Sequence, residues 1–426
     1  MAPLPLPRLA AMKLGIAGLG YVGLPLAAAF ARAGHDVAGY DPDRGRVERL
    51  ARGESDIEDV PSEELRQIAD RFSASTDPAV LGDCESILIC VPTPLLAERE
   101  PNLAYVIEAT ETIASILREG QLVVLESTTY PGTTREELLP RLERSGLVVG
   151  EGFFLAYSPE RIDPGRSNHT IATTPKVVGG ITPACLERAE RLYAEICDEI
   201  VPVSSPEAAE LSKLLENIFR SVNIALVNEL AQLTDRLGID IWEVVDAAAS
   251  KPFGFMRFEP GPGMGGHCLP VDPFYLAYKA RQHDFATEFV ELAGKINQSH
   301  PLFCVSKIQR ALNDRQKSVK GSRVLIVGIA YKSGVADLRE SPALKIIDHL
   351  RELGAVVSYH DPHVPTLPEK ELESVDLAEA VAAADAVAIV TAHDGIDYPA
   401  LVEAAALVID FRGVTRELAA DNVVLL

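Results

Sequence analysis

Short apolar runs bounded by turn residues recur through the first part of the chain. Such runs are typical of strands buried on both faces of a parallel sheet. An apolar stretch of helical length separates the first two runs, so the chain opens with a strand, a helix and a second strand. The predicted strands are 13–17, 36–40, 86–91, 122–125 and 153–157, and the first predicted helix is 24–33.

The middle of the chain changes to a helical period. Ser205 and Pro206 indicate a helix start, because serine caps free N–H groups and proline fits the first turn. Apolar residues then recur at helical spacing for about nine turns, which predicts one helix over 205–237. A helix of this length often forms a dimer core, so we expect a homodimer through it. Further helices are predicted at 241–249 and 286–312, with a polar linker at 313–318.

The last third of the chain repeats the α/β pattern of the first. A strand at 322–327, a turn at Gly328 and a helix at 341–353 lead to a strand that ends at Asp361, as the opening pattern ends at Asp41. The sequence therefore predicts an α/β fold with two doubly wound Rossmann-like domains joined by a long central helix. The predicted divisions are a flexible tail at 1–12, a Rossmann domain at 13–204, a central helical and catalytic-loop domain at 205–312, and a C-terminal Rossmann-like domain at 321–426.

Composition narrows the class of protein. The 426 residues are 47% hydrophobic and 24% charged, which is typical of globular domains. The formal net charge of −22 disfavours nucleic acid as a partner. Six cysteines without a C-x-x-C pair favour reduced thiols, a cytoplasmic setting and no metal site. We expect no membrane span, and the proline-rich opening is unlike a signal peptide, so either Met1 or Met12 starts translation.

A dinucleotide fingerprint follows the first predicted strand. Gly18-Leu19-Gly20-Tyr21-Val22-Gly23 stands between strand and helix, and Asp41 ends the second strand. The glycines permit a tight turn and the close approach of a pyrophosphate to a helix N-terminus. Asp41 would bind the adenosine ribose hydroxyls, which favours NAD. Arg44 and Arg46 leave NADP open as the alternative, since an arginine can accept a 2′-phosphate.

Polar residues also follow other predicted strands, at the sheet edge where ligands bind. Thr93 and Thr128 either touch the cofactor or cap the segments that follow. Ser158-Pro159-Glu160-Arg161 supplies a carboxylate that is either a candidate base or part of a loop ion pair.

The strongest candidate for covalent chemistry is the stretch from Gly261 to Pro273. Cys268 stands at the end of a run of glycines, four residues before Asp272. Glycines let backbone approach a ligand closely, so this cysteine is a candidate nucleophile. Lys213 and Asn217 are spaced i and i+4 and share one helix face. Lys213 is either a site residue or a lysine that reaches the surface.

The second Rossmann-like domain lacks the full fingerprint. Gly328-Ile329-Ala330 is followed by Tyr331 and Lys332 instead of another glycine, so it should bind something other than a whole dinucleotide. Lys332, Arg339 and Arg412 lie near predicted strand ends, where they either bind a phosphate-bearing ligand or are ordinary surface charges.

Taken together, these motifs resemble the UDP-glucose/GDP-mannose dehydrogenase family over essentially the whole chain after Met12. The resemblance rests on the glycine fingerprint, on the paired Lys213 and Asn217 and on Cys268-x-x-x-Asp272. It is also carried by Ser127-Thr128, Ser158-Pro159-Glu160, Tyr331-Lys332 and Arg339-Glu340-Ser341.

The resemblance implies the oxidation of a sugar's primary alcohol to a carboxylate by two NAD⁺, without release of the aldehyde. Cys268 would attack the aldehyde, hydride loss would give a thioester, and water would hydrolyse it. Lys213 would stabilise the oxyanion, Asn217 would hold it or the substrate, Asp272 would move protons with an ordered water, Glu160 would serve hydrolysis and Thr128 would orient water.

The expected ligands are NAD, in the first domain, and a UDP-sugar, in the C-terminal domain. We expect cofactor contacts from Gly18, Gly20, Tyr21, Val22, Gly23, Asp41, Arg46, Thr93, Thr128 and Arg339. Substrate contacts are expected from Glu160, Arg161, Lys213, Asn217, Gly265, Tyr331, Lys332 and Arg412.

Substrate choice is predicted from smaller motifs. His267 and Val271 resemble the branch that oxidises UDP-N-acetylhexosamines, and residues 251–256 resemble its UDP-N-acetylglucosamine members. UDP-N-acetylmannosamine, UDP-N-acetylgalactosamine and UDP-glucose are the alternatives. Since other members carry serine at the position of His267, this histidine is not required as a base.

Two other classes of protein remain as alternatives. A single-step hydroxy-acid dehydrogenase would have little use for Cys268. A non-catalytic NAD-binding regulator would keep the fingerprint and lose the thiol, lysine and carboxylates, all of which are present.

Overall fold

The computed structural model describes residues 10–96, 99–161, 170–266, 268–418 and 420–426. They form two compact units. Unit 1 contains the chain through Glu216 together with Phe274–Phe285, and unit 2 contains Asn217–Pro273 and Ala286–Leu426.

Unit 1 is built on one sheet with strands β1 (Lys13–Ala17), β2 (Asp36–Tyr40), β3 (Phe72–Ser75), β4 (Ser86–Ile89), β5 (Leu122–Leu125), β6 (Phe154–Tyr157), β7 (Lys176–Gly180) and β8 (Ile200–Val203). Its helices are α1 (Gly23–Ala33), α2 (Arg44–Ala51), α3 (Ser62–Gln67), α4 (Ala104–Ile116), α5 (Leu139–Leu142) and α6 (Pro183–Tyr193), and shorter 3₁₀ or π turns lie at 78–81, 134–138 and 143–145. The strand order is β3-β2-β1-β4-β5-β6-β7-β8, and β6 and β7 pair antiparallel. This order changes direction between β1 and β4, which is where a doubly wound sheet binds its ligand.

Successive residues of the central strands face opposite layers of helices. Leu88 and Val124 pack in the cluster that includes α1, whereas Ile87 and Val123 pack in the cluster that includes α4. Side chains alternate along a strand, so both faces of the sheet are buried, as a parallel sheet requires. The apolar runs that predicted β1, β2 and β5 have the bounds found in the structure.

Four helices follow this sheet along the chain. They are α7 (Pro206–Leu237), α8 (Ile241–Ala249), α9 (Cys268–Arg281) and α10 (Glu288–Asp314). The prediction of a long helix from Ser205 is confirmed: α7 has 32 residues, and the Ala208 N–H donates to Ser205 Oγ at 3.3 Å. None of the helices in the described ranges is long and apolar enough to cross a membrane.

Unit 2 contains a second parallel sheet. It has β9 (Arg323–Val327), β10 (Val356–His360), β13 (Ala386–Ile389), β14 (Val408–Asp410) and β15 (Val423–Leu425), with a small hairpin of β11 (Thr366–Leu367) and β12 (Leu372–Glu373). The helices around it are α11 (Pro342–Glu352), α12 (Leu377–Ala383) and α13 (Tyr398–Ala404), with 3₁₀ turns at 368–370 and 416–418. The order β10-β9-β13-β14-β15 is that of a Rossmann-like half. The prediction of two such domains and a long central helix is confirmed.

Several predicted bounds differ from the structure: the strands predicted at 86–91 and 153–157, for example, span Ser86–Ile89 and Phe154–Tyr157. The stretch 261–273, predicted as a loop, is partly helical, because α9 begins at Cys268 and contains Asp272. Pro270 is tolerated there because the first turn of a helix has no use for its missing N–H. The linker predicted at 313–318 starts too early, since α10 continues to Asp314.

Candidate active site

The turn after β1 has the backbone geometry of a phosphate-binding loop. Gly18 has φ of +96°, and a Cβ there would lie 2.5 Å from the Cys90 carbonyl oxygen. A Cβ at Gly23 would lie 1.8 Å from the carbonyl oxygen of Gly18, so both positions require glycine. At Gly20, by contrast, a Cβ would meet no described atom within 4 Å. Gly18 and Gly23 thus pack tightly against backbone atoms, whereas the space beside Gly20 is free of described protein atoms.

The start of α1 stands directly behind this turn. Val22 precedes the helix, and among the described residues no side chain caps it and no acidic residue occupies its first turn. Tyr21, beside it, is 53% exposed. Free N–H groups and the helix dipole at such an end favour an anion. The residues present therefore fit the pyrophosphate of NAD.

Asp41 lies at the end of β2, where the fingerprint requires an acid. It is 5% exposed, and its Oδ2 accepts from the Leu19 N–H at 2.9 Å and from Arg46 at 3.2 Å. The carboxylate is thus fixed beside the glycine turn, as ribose binding needs. Arg44 faces solvent and pairs with Glu48, whereas Arg46 is held at the carboxylate.

Unit 2 repeats this arrangement of glycine turn and acid, but its acid is also bound by a buried histidine of the same unit. Gly328 has φ of +78°, and Asp361 Oδ2 accepts from the Ile329 N–H at 2.7 Å, as Asp41 does from Leu19. His393 Nε2 also donates to Asp361 Oδ2 at 3.0 Å, and both side chains are fully buried. Burial would raise the pKa of Asp361, but hydrogen bonds from His393 and from backbone N–H groups outweigh it and hold the pKa at about 2. Asp361 is thus hydrogen-bonded to groups of its own unit. This supports the expectation that unit 2 binds something other than a whole dinucleotide.

Thr93 and Thr128 meet at the ends of neighbouring strands. Thr93 Oγ1 donates to the Thr128 carbonyl oxygen at 2.9 Å, and Tyr275 OH donates to the Thr93 carbonyl at 2.9 Å. Thr93 is 5% exposed and Thr128 is half-buried. Thr93 thus holds the Thr128 segment in place, and a cofactor contact from either residue stays a prediction.

The turn that carries Glu160 is tied to α7. The Arg161 N–H donates to Glu160 Oε1 at 2.7 Å, and Arg161 Nη2 lies 2.8 Å from Glu216 Oε1. Glu216 is three residues beyond Lys213 on the helix. Arg161 therefore serves as a structural link, and contact with substrate remains a prediction for it.

Lys213 is a buried cation. The residue is 8% exposed, and no hydrogen bond or ion pair joins it to another residue in the described ranges. Of the two alternatives for this lysine, the surface-reaching side chain is the poorer fit to that burial. A buried ammonium normally has an anionic partner, because desolvation is costly.

Asn217 stands one helical turn beyond Lys213. It is 6% exposed, and its Nδ2 donates to Asp272 Oδ2 at 2.5 Å. Asp272 is 2% exposed. The amide therefore orients the carboxylate that shares α9 with Cys268, which is the first residue of that helix. His267 lies outside the described residues.

The glycine stretch before α9 is held by two buried asparagines that the motifs did not reveal. The Gly261 N–H donates to Asn228 Oδ1 at 3.0 Å, Asn228 Nδ2 donates to Asn297 Oδ1 at 3.2 Å, and Asn297 Nδ2 donates to the Ser221 carbonyl at 3.0 Å. Asn228 is fully buried and Asn297 is 3% exposed. The only sequence signal was a polar residue at an apolar position of a helix.

Tyr331 closes against the same stretch. A Cβ at Gly265 would lie 2.7 Å from Tyr331 Cβ, and one at Gly266 would lie 3.0 Å from its ring. The Gly266 N–H donates to the Arg339 carbonyl at 2.9 Å. Gly265 is therefore required for packing, and its contact with substrate remains a prediction.

The predicted phosphate-binding cations are all in unit 2. Arg412 is half-buried, its Nε donates to the Val390 carbonyl at 2.8 Å, and a Cβ at Gly261 would lie 2.8 Å from its guanidinium. Arg339 forms a bidentate pair with Asp337, in which Nε donates to Oδ1 at 3.0 Å and Nη2 donates to Oδ2 at 2.6 Å. Lys332 follows Tyr331 directly. Arg412 thus lies beside the glycine stretch, while a cofactor contact from Arg339 stays a prediction.

Glu210 anchors the segment that follows Thr128. It is fully buried on α7 and accepts from the Gly132 N–H at 2.6 Å, the Thr134 N–H at 2.9 Å and Thr134 Oγ1 at 2.7 Å. Burial raises its pKa to about 7, because desolvation of the carboxylate outweighs the hydrogen bonds that lower the pKa.

Glu210 should make the apparent free energy of unfolding fall as pH rises. Its pKa is about 7 in the folded state and ~4.3 in the unfolded chain. Between these values the folded state binds more protons, so the stabilisation is full below the lower value and is lost as pH passes the upper one. Wild type should lose ~3 kcal/mol more than Glu210→Gln between pH 4.5 and pH 8 in urea titrations.

The matched control is Glu207→Gln, one turn earlier on α7. Burial alone would raise the pKa of Glu207, but the hydrogen bond from Arg135 helps to lower it below its usual value. The ionised carboxylate of Glu207 therefore contributes stability that is lost as pH falls. Removing it should change the pH dependence in the opposite sense. Identical slopes for wild type and Glu210→Gln would contradict the prediction.

Three family models match consecutive parts of this chain. The NAD binding domain of the UDP-glucose/GDP-mannose dehydrogenase family matches residues 12–197. The family's central domain matches 207–299, and its UDP binding domain matches 325–417. The resemblance inferred from the motifs and the NAD cofactor are confirmed.

Individual relatives agree with the family models. A UDP-N-acetyl-D-glucosamine 6-dehydrogenase from Pseudomonas aeruginosa is 39% identical over 355 residues, 83% of each chain. A UDP-N-acetyl-D-mannosamine dehydrogenase from Pyrococcus horikoshii is 34% identical over 386 residues, 90% of each chain. The solved structure of UDP-D-ManNAc dehydrogenase from Pyrococcus horikoshii has a TM-score of 0.89 at 31% identity, over 97% of this chain and 98% of that one. The chain therefore belongs to the UDP-glucose/GDP-mannose dehydrogenase family and is an NAD-dependent nucleotide-sugar dehydrogenase.

Proposed function

We propose that this chain oxidises the 6-hydroxyl of UDP-N-acetylglucosamine to the uronic acid through a covalent bond to Cys268. The observation that carries the proposal is Lys213, a cation 8% exposed and without a partner among the described residues. An oxyanion on the substrate would supply that partner. The adduct of a thiol and an aldehyde carries such an oxygen, and stabilising it is a large part of catalysis in related chemistry.

The proposed reaction removes four electrons in two oxidations. NAD, when bound, accepts a hydride in each of them. The first oxidation converts the alcohol to an aldehyde with loss of one proton, and Cys268 then adds its sulfur to the aldehyde carbon. The second removes a hydride from that thiohemiacetal carbon and a proton from its hydroxyl, which leaves a thioester. Water attacks the thioester, which releases the carboxylate and the free thiol.

The chain's own residues manage oxygen and protons in this scheme. Lys213 donates to the oxygen that becomes negative, first as alkoxide and then in the adduct. Asp272 takes the alcohol proton through an ordered water, in an orientation maintained by Asn217. Glu160 accepts a proton from the hydrolytic water, and Thr128 orients that water.

The UDP moiety is proposed to bind in unit 2. Arg412 offers a guanidinium beside Gly261, where paired N–H donors suit a phosphate. Tyr331 adds a ring beside the same glycine stretch, and Lys332, the next residue in the chain, adds a second cation. Burial lowers the pKa of Arg412, but an arginine remains charged at neutral pH.

The choice of sugar rests on sequence similarity. Relatives from Pseudomonas aeruginosa and Salmonella typhi, 39% and 36% identical, are UDP-N-acetyl-D-glucosamine 6-dehydrogenases. The UDP-N-acetyl-D-mannosamine dehydrogenases from Pyrococcus horikoshii and Campylobacter jejuni are each 34% identical. The motif at residues 251–256 favours UDP-N-acetylglucosamine as well.

An NADH-release screen tests this function. UDP-N-acetylglucosamine, the galacto and manno isomers, and UDP-glucose are each supplied with excess NAD⁺, and the products are identified by mass spectrometry. We expect the fastest release with UDP-N-acetylglucosamine, at two NADH per sugar and with a carboxylate product. One NADH per sugar with free aldehyde would rule out the covalent route, and preference for another sugar would change only the substrate.

The proposed homodimer rests on an apolar stripe along α7. Its exposed members are Leu211, Leu215, Phe219, Leu226, Leu230, Leu233 and Leu237. Apolar residues repeating at this spacing are normally covered, and a second copy of α7 offers a matching surface under two-fold symmetry.

Introducing two negative charges into this stripe should dissociate the dimer into monomers. Leu226 is 51% exposed and Leu233 is 49% exposed, so the double change Leu226→Glu/Leu233→Glu alters the stripe without disturbing a core. Light scattering should give a dimer for wild type at micromolar concentration and a monomer for the variant. A Glu229→Gln variant on the same helix is the control, and a monomeric wild type would contradict the proposal.

A further inference from the structure

Unit 1 contains a buried ionic cluster to which the proposed reaction assigns no role. Lys176 Nζ lies 2.7 Å from Glu126 Oε2, with side-chain exposures of 7% and 0%. Tyr193 OH donates to the other carboxylate oxygen, and the ammonium lies 5.0 Å from the centre of the Tyr193 ring. We call Glu126, Lys176 and Tyr193 the buried triad.

The triad holds the backbone immediately before Glu160. Lys176 Nζ donates to the Pro159 carbonyl oxygen at 3.1 Å. That carbonyl belongs to the planar peptide group that ends at the Cα of Glu160. Fixing the oxygen therefore fixes the plane from which the Glu160 side chain departs.

The neighbours of Lys176 on the chain hold the rest of the turn. Ser158 Oγ donates to the Val177 carbonyl at 2.8 Å, and Arg161 Nη1 donates to the Pro175 carbonyl at 2.6 Å. Consecutive residues 175, 176 and 177 thus contact residues 161, 159 and 158. Of these three, Lys176 makes its contact with a side chain, and that side chain is itself oriented by the triad.

The charge of Glu160 also acts on the triad. Burial alone would lower the pKa of Lys176, but the charges of Glu126 and Glu160 outweigh it and raise the pKa. Lys176 is therefore a persistent cation, and the field of Glu160 reaches it.

Stability alone does not account for this arrangement. A buried ion pair gains little over apolar residues of similar size, because both charges must be desolvated. What an ammonium adds is direction: its three N–H groups can hold a carboxylate and a carbonyl at once. The directional contact here is the one to Pro159.

We propose that the buried triad of Glu126, Lys176 and Tyr193 positions Glu160 for hydrolysis of the thioester. This inference rests on the proposed function, in which Glu160 accepts the proton of the hydrolytic water. The three residues are positioning residues: they act through the Pro159–Glu160 peptide and need not touch the substrate. A carboxylate misplaced by about 1 Å should slow the step it serves by about 100-fold.

The test is the double variant Lys176→Met/Glu126→Gln, which removes both charges. Glutamine keeps the length of glutamate, and methionine keeps the unbranched shape of lysine but is one atom shorter. Pre-steady-state NADH release should begin at a rate within about twofold of wild type, because hydride transfer does not use Glu160. Hydrolysis should then slow by about 10- to 100-fold. Acid quenching followed by intact-mass spectrometry should detect the protein carrying a covalent sugar adduct, which wild type should not accumulate.

Two comparisons make the result decisive. Glu160→Gln should accumulate the same adduct. Lys307→Met/Asp235→Asn, which removes an ion pair of 2.7 Å and similar burial in unit 2, should not. If Glu160→Gln accumulates adduct and the triad variant does not, the triad has no positioning role. If Glu160→Gln does not accumulate it, the hydrolytic role of Glu160 is wrong and the inference fails with it.

Tyr193→Phe provides a test that a folding failure cannot obscure. It removes only the hydroxyl that donates to Glu126 and keeps the ring packed. We expect hydrolysis about 3- to 10-fold slower than in wild type, from partial loss of orientation. Unchanged hydrolysis in a well-folded Tyr193→Phe, with no adduct, would overturn the proposal.

Discussion

Replacing Cys268 with serine should reduce turnover of the nucleotide sugar by about 10⁴-fold or more. The thiolate is the nucleophile in the proposed scheme, and a serine hydroxyl does not ionise at neutral pH. Cys268 is the first residue of α9, and a helix N-terminus favours a thiolate. Steady-state NADH release and product mass measure the loss, with protein integrity checked by thermal melting.

Cys84→Ser is the matched control for this change. Burial raises the pKa of Cys84 to about 11, so its thiol stays protonated and unreactive. Its Sγ contacts the Val80 carbonyl at 3.4 Å, an acceptor that a serine hydroxyl can also use. Turnover per folded molecule should be unchanged. If Cys268→Ser kept turnover within tenfold of wild type, the single-step dehydrogenase would become the better explanation.

Lys213→Met should lower kcat by about 10²- to 10³-fold while leaving the fold at least as stable as wild type. The two effects have one cause. The change removes a buried charge that has no partner among the described residues, which relieves desolvation in the resting protein. It also removes the donor proposed for the oxyanion, which weakens only the reacting state. On the same preparation, kcat should therefore fall while the melting temperature rises or stays at the wild-type value.

Lys307→Met provides the contrast. Lys307 is 7% exposed and its Nζ lies 2.7 Å from Asp235 Oδ1, so its loss leaves that carboxylate paired with the more exposed Arg310 but without its buried partner. We expect reduced stability with kcat per folded molecule retained. A Lys213→Met variant that behaved in the same way would show Lys213 to be structural.

Local sequence patterns correctly predicted those helices and strands whose residues favour the structure that they adopt. The strand 122–125 and the helix 241–249 have the bounds that apolar runs and helical spacing indicated. The start of α7 followed from serine and proline side by side, because capping is a local interaction.

Elements set by distant partners could not be predicted in this way. The strand Lys176–Gly180 begins with a lysine and ends with two glycines, and Ile200–Val203 contains a proline. Each of these residue types disfavours a strand. Pairing within the sheet outweighs these preferences, and Lys176 is accommodated because Glu126, 50 residues earlier, neutralises it.

In the candidate site, too, features set by local spacing were predictable and features set by distant contacts were not. Lys213 and Asn217 could be paired from their spacing alone, since four residues make one turn. The contact from Asn217 to Asp272 spans 55 residues, and that from Asn228 to Gly261 spans 33. No local rule connects such residues, so the motifs identified the reacting groups and left their supports unknown.

The two compact units are not contiguous in the chain, and this limits how the gene can be divided. The segment Phe274–Phe285 completes unit 1 after the chain has already entered unit 2. A fragment that ends at Glu216 would lack Tyr275, whose hydroxyl donates to the Thr93 carbonyl. A fragment that begins at Asn217 would carry that segment without the rest of unit 1. No single cut therefore separates the two units, because a fragment that contains all of unit 1 also carries residues 217–273. Fragments broken between Glu216 and Asn217 should associate when co-expressed, since the second fragment carries the segment that completes unit 1.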